Sequence, residues 1–262
     1  MLDNRGVEKM ISNCGHDENG TYRNGAAGDQ TSGEYCIRSW YNRPWNCVLR
    51  YPDEKVGATI GSIASYAANN PMIGYDQNQR MTFYQQLSAA GWHPESIHQA
   101  CEADCSSSTA AVIIAAGRRL GIAALANVSS VLTTYNMRAA LKAVGFEALT
   151  DSRYLTGESY LAAGDILLND QHHVAINLTY GSNYKVTTTN TNIKAVNYTA
   201  QVKVSDYLNV RSGASSNAEI VVLNGHGLCL SNGLVVAINA ESGDWARLAG
   251  TTYWVSKTYL KR

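Results

Sequence analysis

The sequence predicts an α+β domain followed by a small all-β barrel. Apolar positions recur at helical spacing through most of residues 53–144, and from Phe146 onward short alternating strands take over. Beyond Gln201 only short strands remain, separated by Gly, Asn and Ser turns. A chain of 262 residues with 45% hydrophobic content accommodates one larger domain and one smaller one.

Residues 4–13 read as a short helix, and 14–34, rich in Gly, Asn and Asp, as an irregular loop. The stretch 33–53 interleaves Trp40, Tyr41, Trp45 and Tyr51 with Arg38, Arg43 and Arg50, and Pro44 excludes a regular helix through it. It is either an aromatic packing segment or a groove wall that stacks on sugar or peptide. Residues 53–69 form a helix with Val56, Ile60, Ile63, Ala64 and Ala67 on one stripe, Asp53 as N-cap and Asn69-Asn70-Pro71 as its stop. Further helices are predicted over 77–90, 105–120 and 135–144, with Gly91 and Gly145 ending the first and last. Strands follow at 146–149, 164–168, 173–178 and 184–190, so helices precede an antiparallel sheet. The expected domains are 1–193 and 201–262, joined by a linker over 194–200. Strands of the second are expected at 202–204, 208–210, 219–223, 234–239, 245–248 and 252–255.

Lys+Arg and Asp+Glu are 21 each, so the net charge is zero and nothing points to nucleic acid. Six cysteines form no C-x-x-C pair, which disfavours a zinc ribbon, and most are expected as free thiols. No metal or cofactor is expected. Residues 1–25 hold no apolar h-region and no run approaches ~18 apolar residues, so neither a secretory signal nor a membrane span is expected.

The chemistry centres on CEADCSSSTAAVIIAAGRRL, residues 101–120. Cys105 opens a helix, where unpaired N–H groups and the helix dipole favour a thiolate nucleophile. A base is needed, and QHHVAINL supplies His172 and His173 at a strand start. His173 is preferred because it shares a strand face with the small Ala175, where a helix can approach closely. Asn190 is the first candidate to orient the imidazole, with Asn192 and Asn177 as alternatives. Asp104 is an N-cap whose position leaves the helix start open to an oxyanion. Ser106 sits in the first turn and, with Asp104, is a candidate substrate-binding residue. Tyr75, Asp76 and Arg80 form a polar corner upstream: a turn with Asp76 as N-cap, or a substrate-facing site in which Tyr75 aids the oxyanion and Asp76 or Arg80 grips a charged end.

At these residues the chain resembles the NlpC/P60 and CHAP superfamily of papain-like peptidoglycan hydrolases. The carriers are Asp104-Cys105-Ser106-Ser107, Gly164-Asp165-Ile166-Leu167 and His173-Val174-Ala175-Ile176, in that order. IGYDQNQR, residues 73–80, resembles the phage amidase and endopeptidase branch, and the stretch 28–53 looks like a prophage-type wall hydrolase. Tyr207–Gly213, Gly243-Asp244-Trp245, Tyr253-Trp254-Val255 and Tyr259-Leu260 resemble a bacterial SH3 (SH3b) domain, which binds wall peptide. The resemblance implies a papain-like catalytic domain with Cys105 as nucleophile, His173 as base, and a third polar residue on the next strand. It implies a monomeric enzyme of the endolysin or autolysin kind, made in the cytoplasm and released to the cell wall by holin, lysis or a phage tail. It would cut a stem-peptide amide, first the D-γ-glutamyl–diamino acid bond. The alternatives are an N-acetylmuramoyl-L-alanine amidase of the same fold and a non-catalytic wall-binding or phage structural protein.

Overall fold

A computed structural model describes residues 10–184 and 193–262, apart from 215, 217, 219, 224, 225 and 252. The chain divides into two compact units, Met1–Thr187 and Thr188–Arg262.

The first unit runs β1 (Met10–Cys14), β2 (Tyr35–Ser39), β3 (Cys47–Arg50), α1 (Glu54–Ala68), β4 (Ile73–Tyr75), α2 (Thr82–Ala89), β5 (Cys101–Ala103) and α3 (Cys105–Leu120). It continues with α4 (Ala123–Ala126), α5 (Met137–Ala143), β6 (Glu147–Leu149), α6 (Ser152–Leu155), β7 (Ile166–Asn169) and β8 (His173–Asn177). Six strands form one antiparallel sheet in the order β2-β1-β8-β7-β3-β6. A short parallel pair, β4 with β5, lies apart from it.

Strand alternation divides the sheet into two faces. Cys14, Cys47, Leu49, Ile166, Leu168, Val174 and Ile176 belong to one core cluster with the apolar stripes of α1 and α3. Ile11, Val48, Leu167 and Ala175 belong to another, closed by Trp45 and Leu161 and flanked by Tyr41 and Tyr154. Helix α3 is buried from Ser106 to Gly117, as expected of a central helix apolar on every side. Burying Ile113 and Ile114 contributes about 1.5–3 kcal/mol each. Arg118 and Arg119 complement the dipole in its last turn, and Gly121 ends it at φ 68°.

The predicted helices over 53–69, 105–120 and 135–144 appear as α1, α3 and α5. Asp53 caps α1 by accepting from the Lys55 N–H. The helix predicted over 77–90 begins only at Thr82. Residues 10–13, predicted helical, are part of β1: MISNC alternates between the two faces, and pairing with β2 and β8 outweighs local preference. The expected order of helices before sheet is also corrected. Half of the sheet, β1 to β3, precedes the first helix, and the aromatic stretch 33–53 contributes two of those strands. The strand predicted over 184–190 falls almost wholly outside the described residues.

In the second unit, β9 (Lys194–Val202), β10 (Tyr207–Asn209), β11 (Val222–Leu223), β12 (His226–Gly227), β13 (Cys229–Ser231), β14 (Val235–Ser242), β15 (Trp245–Leu248), β16 (Trp254–Ser256) and β17 (Leu260–Lys261) follow in order. A five-stranded sheet, β16-β15-β14-β9-β17, curls into a half-barrel around Val202, Leu208, Val210, Ile238, Ala246 and Val255. The linker expected over 194–200 is instead most of β9. Val196, Tyr198, Ala200 and Val202 alternate inward along it, a period-two pattern that pairs with β14. The molecule is thus mixed α+β with a curled β half-barrel at its C-terminal end. Among the described residues no helix is long and apolar enough to cross a membrane.

Candidate active site

Helix α3 starts at Cys105 because Asp104 caps it. The Asp104 backbone is extended, and its carboxylate accepts from the Ser106 N–H at 2.9 Å and the Ser107 N–H at 2.7 Å. The Ser107 hydroxyl accepts in turn from the Asp104 N–H at 2.9 Å, completing a capping box. The Ser106 hydroxyl donates to Asp104 at 2.9 Å and accepts from Arg80 Nη2 at 3.1 Å, while Arg80 Nε lies 3.1 Å from the second Asp104 oxygen. Arg80 Nη2 also donates to the Leu132 carbonyl. Arg80, Asp104 and Ser106, expected to face substrate, are therefore engaged with one another at the helix start.

Asp76 is buried too. Its carboxylate accepts from the Asn24 and Asn78 N–H groups, so it holds a turn and is not the N-cap of α2. Tyr75 is held by a buried carboxylate: Glu34 accepts its N–H at 3.2 Å and also that of Gln30. Its hydroxyl accepts from Gln77 Nε2 at 3.3 Å. Burial and the nearby Cys105 push the phenol well above its usual range, so Tyr75 stays a neutral donor beside the sulfur.

The thiolate expected at the helix start is corrected by the electrostatics. Burial pushes the Cys105 thiol up to about 12, and the Asp104 carboxylate adds to the rise. The N–H groups of Val174 and Ser106 near the sulfur pull the other way, as does Arg80, but burial dominates. The resting group is a protonated thiol that needs a base. Cys14 lies within electrostatic reach of Cys105, fully buried, and all six cysteines are free.

His173 opens β8 and is 7% exposed, whereas His172 is exposed in the preceding turn. Helix α3 packs on the Val174 and Ile176 side of β8, not on the side of Ala175 as its small size suggested. Val174, the residue after His173, brings its backbone N–H near enough to the Cys105 sulfur to lower the thiol pKa. The imidazole lies among aromatic residues. Trp45 stacks on it with ring centroids 6.1 Å apart at 29°, and Tyr41 packs on Trp45 at 5.7 Å. Burial lowers His173 to about 4, with Arg43 and Arg38 contributing, so the ring is neutral at neutral pH.

The residue facing the imidazole is Asn13, from β1. Its side-chain oxygen lies 2.9 Å from His173 Nε2 and accepts from the Tyr41 hydroxyl at 3.3 Å. An amide oxygen only accepts, so Nε2 carries the ring proton and Nδ1 keeps the basic lone pair. Asn177, weighed earlier as the orienter, donates instead to the Ala162 and Thr179 carbonyls. Asn190 and Asn192 lie outside the described residues. Asn13 went unassigned in the sequence, and Tyr41 and Trp45 were read only as part of an aromatic packing segment or groove wall, since their link to His173 is made only by sheet pairing. One signal was available: β1 carries the polar Ser12 and Asn13 between apolar residues in a strand buried on both faces. Among the described residues no group of three or more His, Cys, Asp or Glu could hold a metal ion.

No curated protein and no solved structure matches the chain. The model of the endolysin-like domain matches residues 11–184, beginning within β1 and ending beyond β8, so the match spans Asn13, Cys105 and His173. That covers well over half of the chain, which therefore belongs to the endolysin-like domain family and, with it, to proteins of phage lysis that act on the cell wall.

Proposed function

We infer that this protein is a peptidoglycan hydrolase that cuts a stem-peptide amide with Cys105 as nucleophile and His173 as base. The observation that carries this reading is the buried Asn13–His173 hydrogen bond, which leaves Nδ1 as the basic nitrogen, at the start of the strand against which helix α3 packs. A thiol held near 12 and an imidazole held near 4 suit general-base attack rather than a resting ion pair. His173 takes the thiol proton as sulfur attacks the amide carbon. It then gives that proton to the leaving amine, and water resolves the thioester with the same base. Tyr75, a neutral phenol within electrostatic reach of the sulfur, would stabilise the oxyanion.

The preferred bond is D-γ-glutamyl to diamino acid, and the muramoyl–L-alanine amide is the rival. The second unit carries a cleft of about 480 Å³ lined by Tyr207, Arg211, Trp245 and Tyr259, which supports an SH3b-like role in binding wall peptide. Digesting a defined wall and weighing the released muropeptides tests the reading. A new amine on the diamino acid marks the endopeptidase, one on L-alanine marks the amidase, and no new amine overturns the hydrolase.

Asn13 is a positioning residue in this scheme. Asn13→Ala should lower kcat by about 10²-fold, the scale of losing a well-oriented general base, with KM little changed. Asn13→Asp keeps an acceptor and adds a negative charge, so it should move the acid limb of the pH–rate profile upward. A purely structural residue would leave that limb in place.

The wild-type limb has a defined sign. His173 sits below its unfolded value, so lysis should hold through neutrality and fall only as pH drops toward about 4. The stability contributed by the neutral ring is present above the unfolded histidine value and is lost as pH falls from there toward the folded one. Lysis rates and thermal midpoints across pH 3.5–8 check both.

A further inference from the structure

We propose that the sheet face carrying His173 also holds an oxyanion-binding subsite at its far end, around Arg50 and Arg153, that takes a carboxylate of the stem peptide. The anion site stands on geometry alone. Assigning its anion to the stem peptide rests on the peptidoglycan reading.

A cleft of about 590 Å³ opens there, lined by Arg50, Arg153, Tyr154, Tyr160, Asn183 and Tyr184. Arg50 is rigid. Its Nε and Nη2 grip Asp165 at 2.8 and 2.6 Å, and Nη2 also donates to the Tyr160 carbonyl at 2.9 Å. Its guanidinium lies 5.5 Å from the Tyr154 ring centre and 5.1 Å from that of Tyr184. Arg153 lies over Tyr154 at 4.9 Å and Tyr160 at 5.7 Å. The rings are thus covered by guanidinium groups, which leaves the cleft rich in N–H and O–H donors rather than in open aromatic planes. That favours an oxyanion over the flat face of a neutral sugar.

Charge points the same way. Asp165 neutralises Arg50 within the fold, whereas the carboxylate nearest Arg153 is Asp151 at 3.8 Å, with both side chains more than half exposed. Such a pair holds its charges weakly, so Arg153 is available to a ligand. Position fits as well. Val48 and Ala175 lie in one core cluster, so Arg50 and His173, two residues from each, share that face. Ile166 pairs with both Leu49 and Ile176, so Arg50 and Asp165 lie one residue beyond that row, about four residues along the strands from His173, with Arg50 two strands across, ~16 Å in all. At ~3.3–3.6 Å per extended residue, a peptide a few residues long with a terminal carboxylate spans that distance.

The test uses the full chain carrying Cys105→Ala, so that ligand is bound and not cut. The probes are a disaccharide peptide with free carboxylates, the same compound with them amidated, and a glycerol-phosphate polymer. Calorimetry should show that Arg153→Gln weakens binding of the free-carboxylate probe about ten-fold or more, the scale of one charge-assisted hydrogen bond. Amidation should produce the same loss, with no further loss when the two are combined. Tyr160→Phe, which retains the ring, should weaken binding less, and thermal midpoints should stay level. Equal affinity of Arg153→Gln and its parent for all three probes overturns the site. An Arg153-dependent affinity for the phosphate polymer alone supports the anion site and overturns its assignment to the stem peptide. If the active chain cuts walls but Arg153→Gln changes no affinity, the inference fails while the hydrolase reading stands.

Discussion

Replacing Cys105 by alanine should abolish lysis of purified cell walls while the protein still pellets with them. The sulfur is the group that would bond to the substrate carbonyl, and no other side chain at the start of α3 can stand in for it. Ser106 and Ser107 are locked into the Asp104 cap, and Cys14 is fully buried. Loss of a nucleophile from a cooperating set costs about 10⁴–10⁶ in kcat. The substitution is small, and the cap is built from Asp104, Ser106, Ser107 and Arg80, so α3 should keep its start. Turbidity of a wall suspension and a pelleting assay read the two halves of the result. Undiminished lysis by the variant would end the cysteine mechanism. Wild-type protein that pellets tightly without clearing the suspension would favour a non-catalytic wall binder.

Asp165→Ala should destabilise the first unit by about 3–5 kcal/mol, because it leaves the half-buried Arg50 without its counter-charge. Asp165 is 1% exposed, binds Arg50 through both oxygens, and also accepts the Ala162 N–H at 2.7 Å. For a domain of this size the loss corresponds to a fall in Tm of about 10 °C. Asp165→Ala combined with Arg50→Met should recover part of it, since the orphaned charge is then removed as well. Urea titration of the four proteins measures the coupling. A loss under about 1 kcal/mol for the single variant would show the pair to be dispensable.

The Gly164-Asp165-Ile166 segment was noted in the sequence as one of three ordered motifs, and the structure shows what Asp165 does in the fold. It ties β3 to the turn before β7 and fixes the guanidinium at the centre of the tyrosine cleft. The same contrast applies to the polar corner. Asp76, Arg80, Asp104 and Ser106 were legible as a cluster near the nucleophile. Only their hydrogen bonds revealed that they are spent on one another and on nearby backbone.

What the sequence determined by itself was local. The run Cys105–Leu120 follows its own cap at Asp104 and carries its own apolar faces, so its helix was readable from end to end, while β7 was visible as a short apolar run and β8 as an alternating one. The cysteine and the histidine could be named because each sits at the start of such an element. What only the tertiary structure decided was which distant strands meet. MISNC has too few residues to declare its conformation, and it becomes a strand because it pairs with β2 on one side and β8 on the other. That pairing brings Asn13 to His173 across 160 residues of chain, where sequence reasoning had looked to the next strand. The Cys105 protonation state was hidden for a related reason. A helix start lowers a thiol's pKa by local dipoles, but burial raises it through everything packed around it, and that surrounding exists only once the chain has folded.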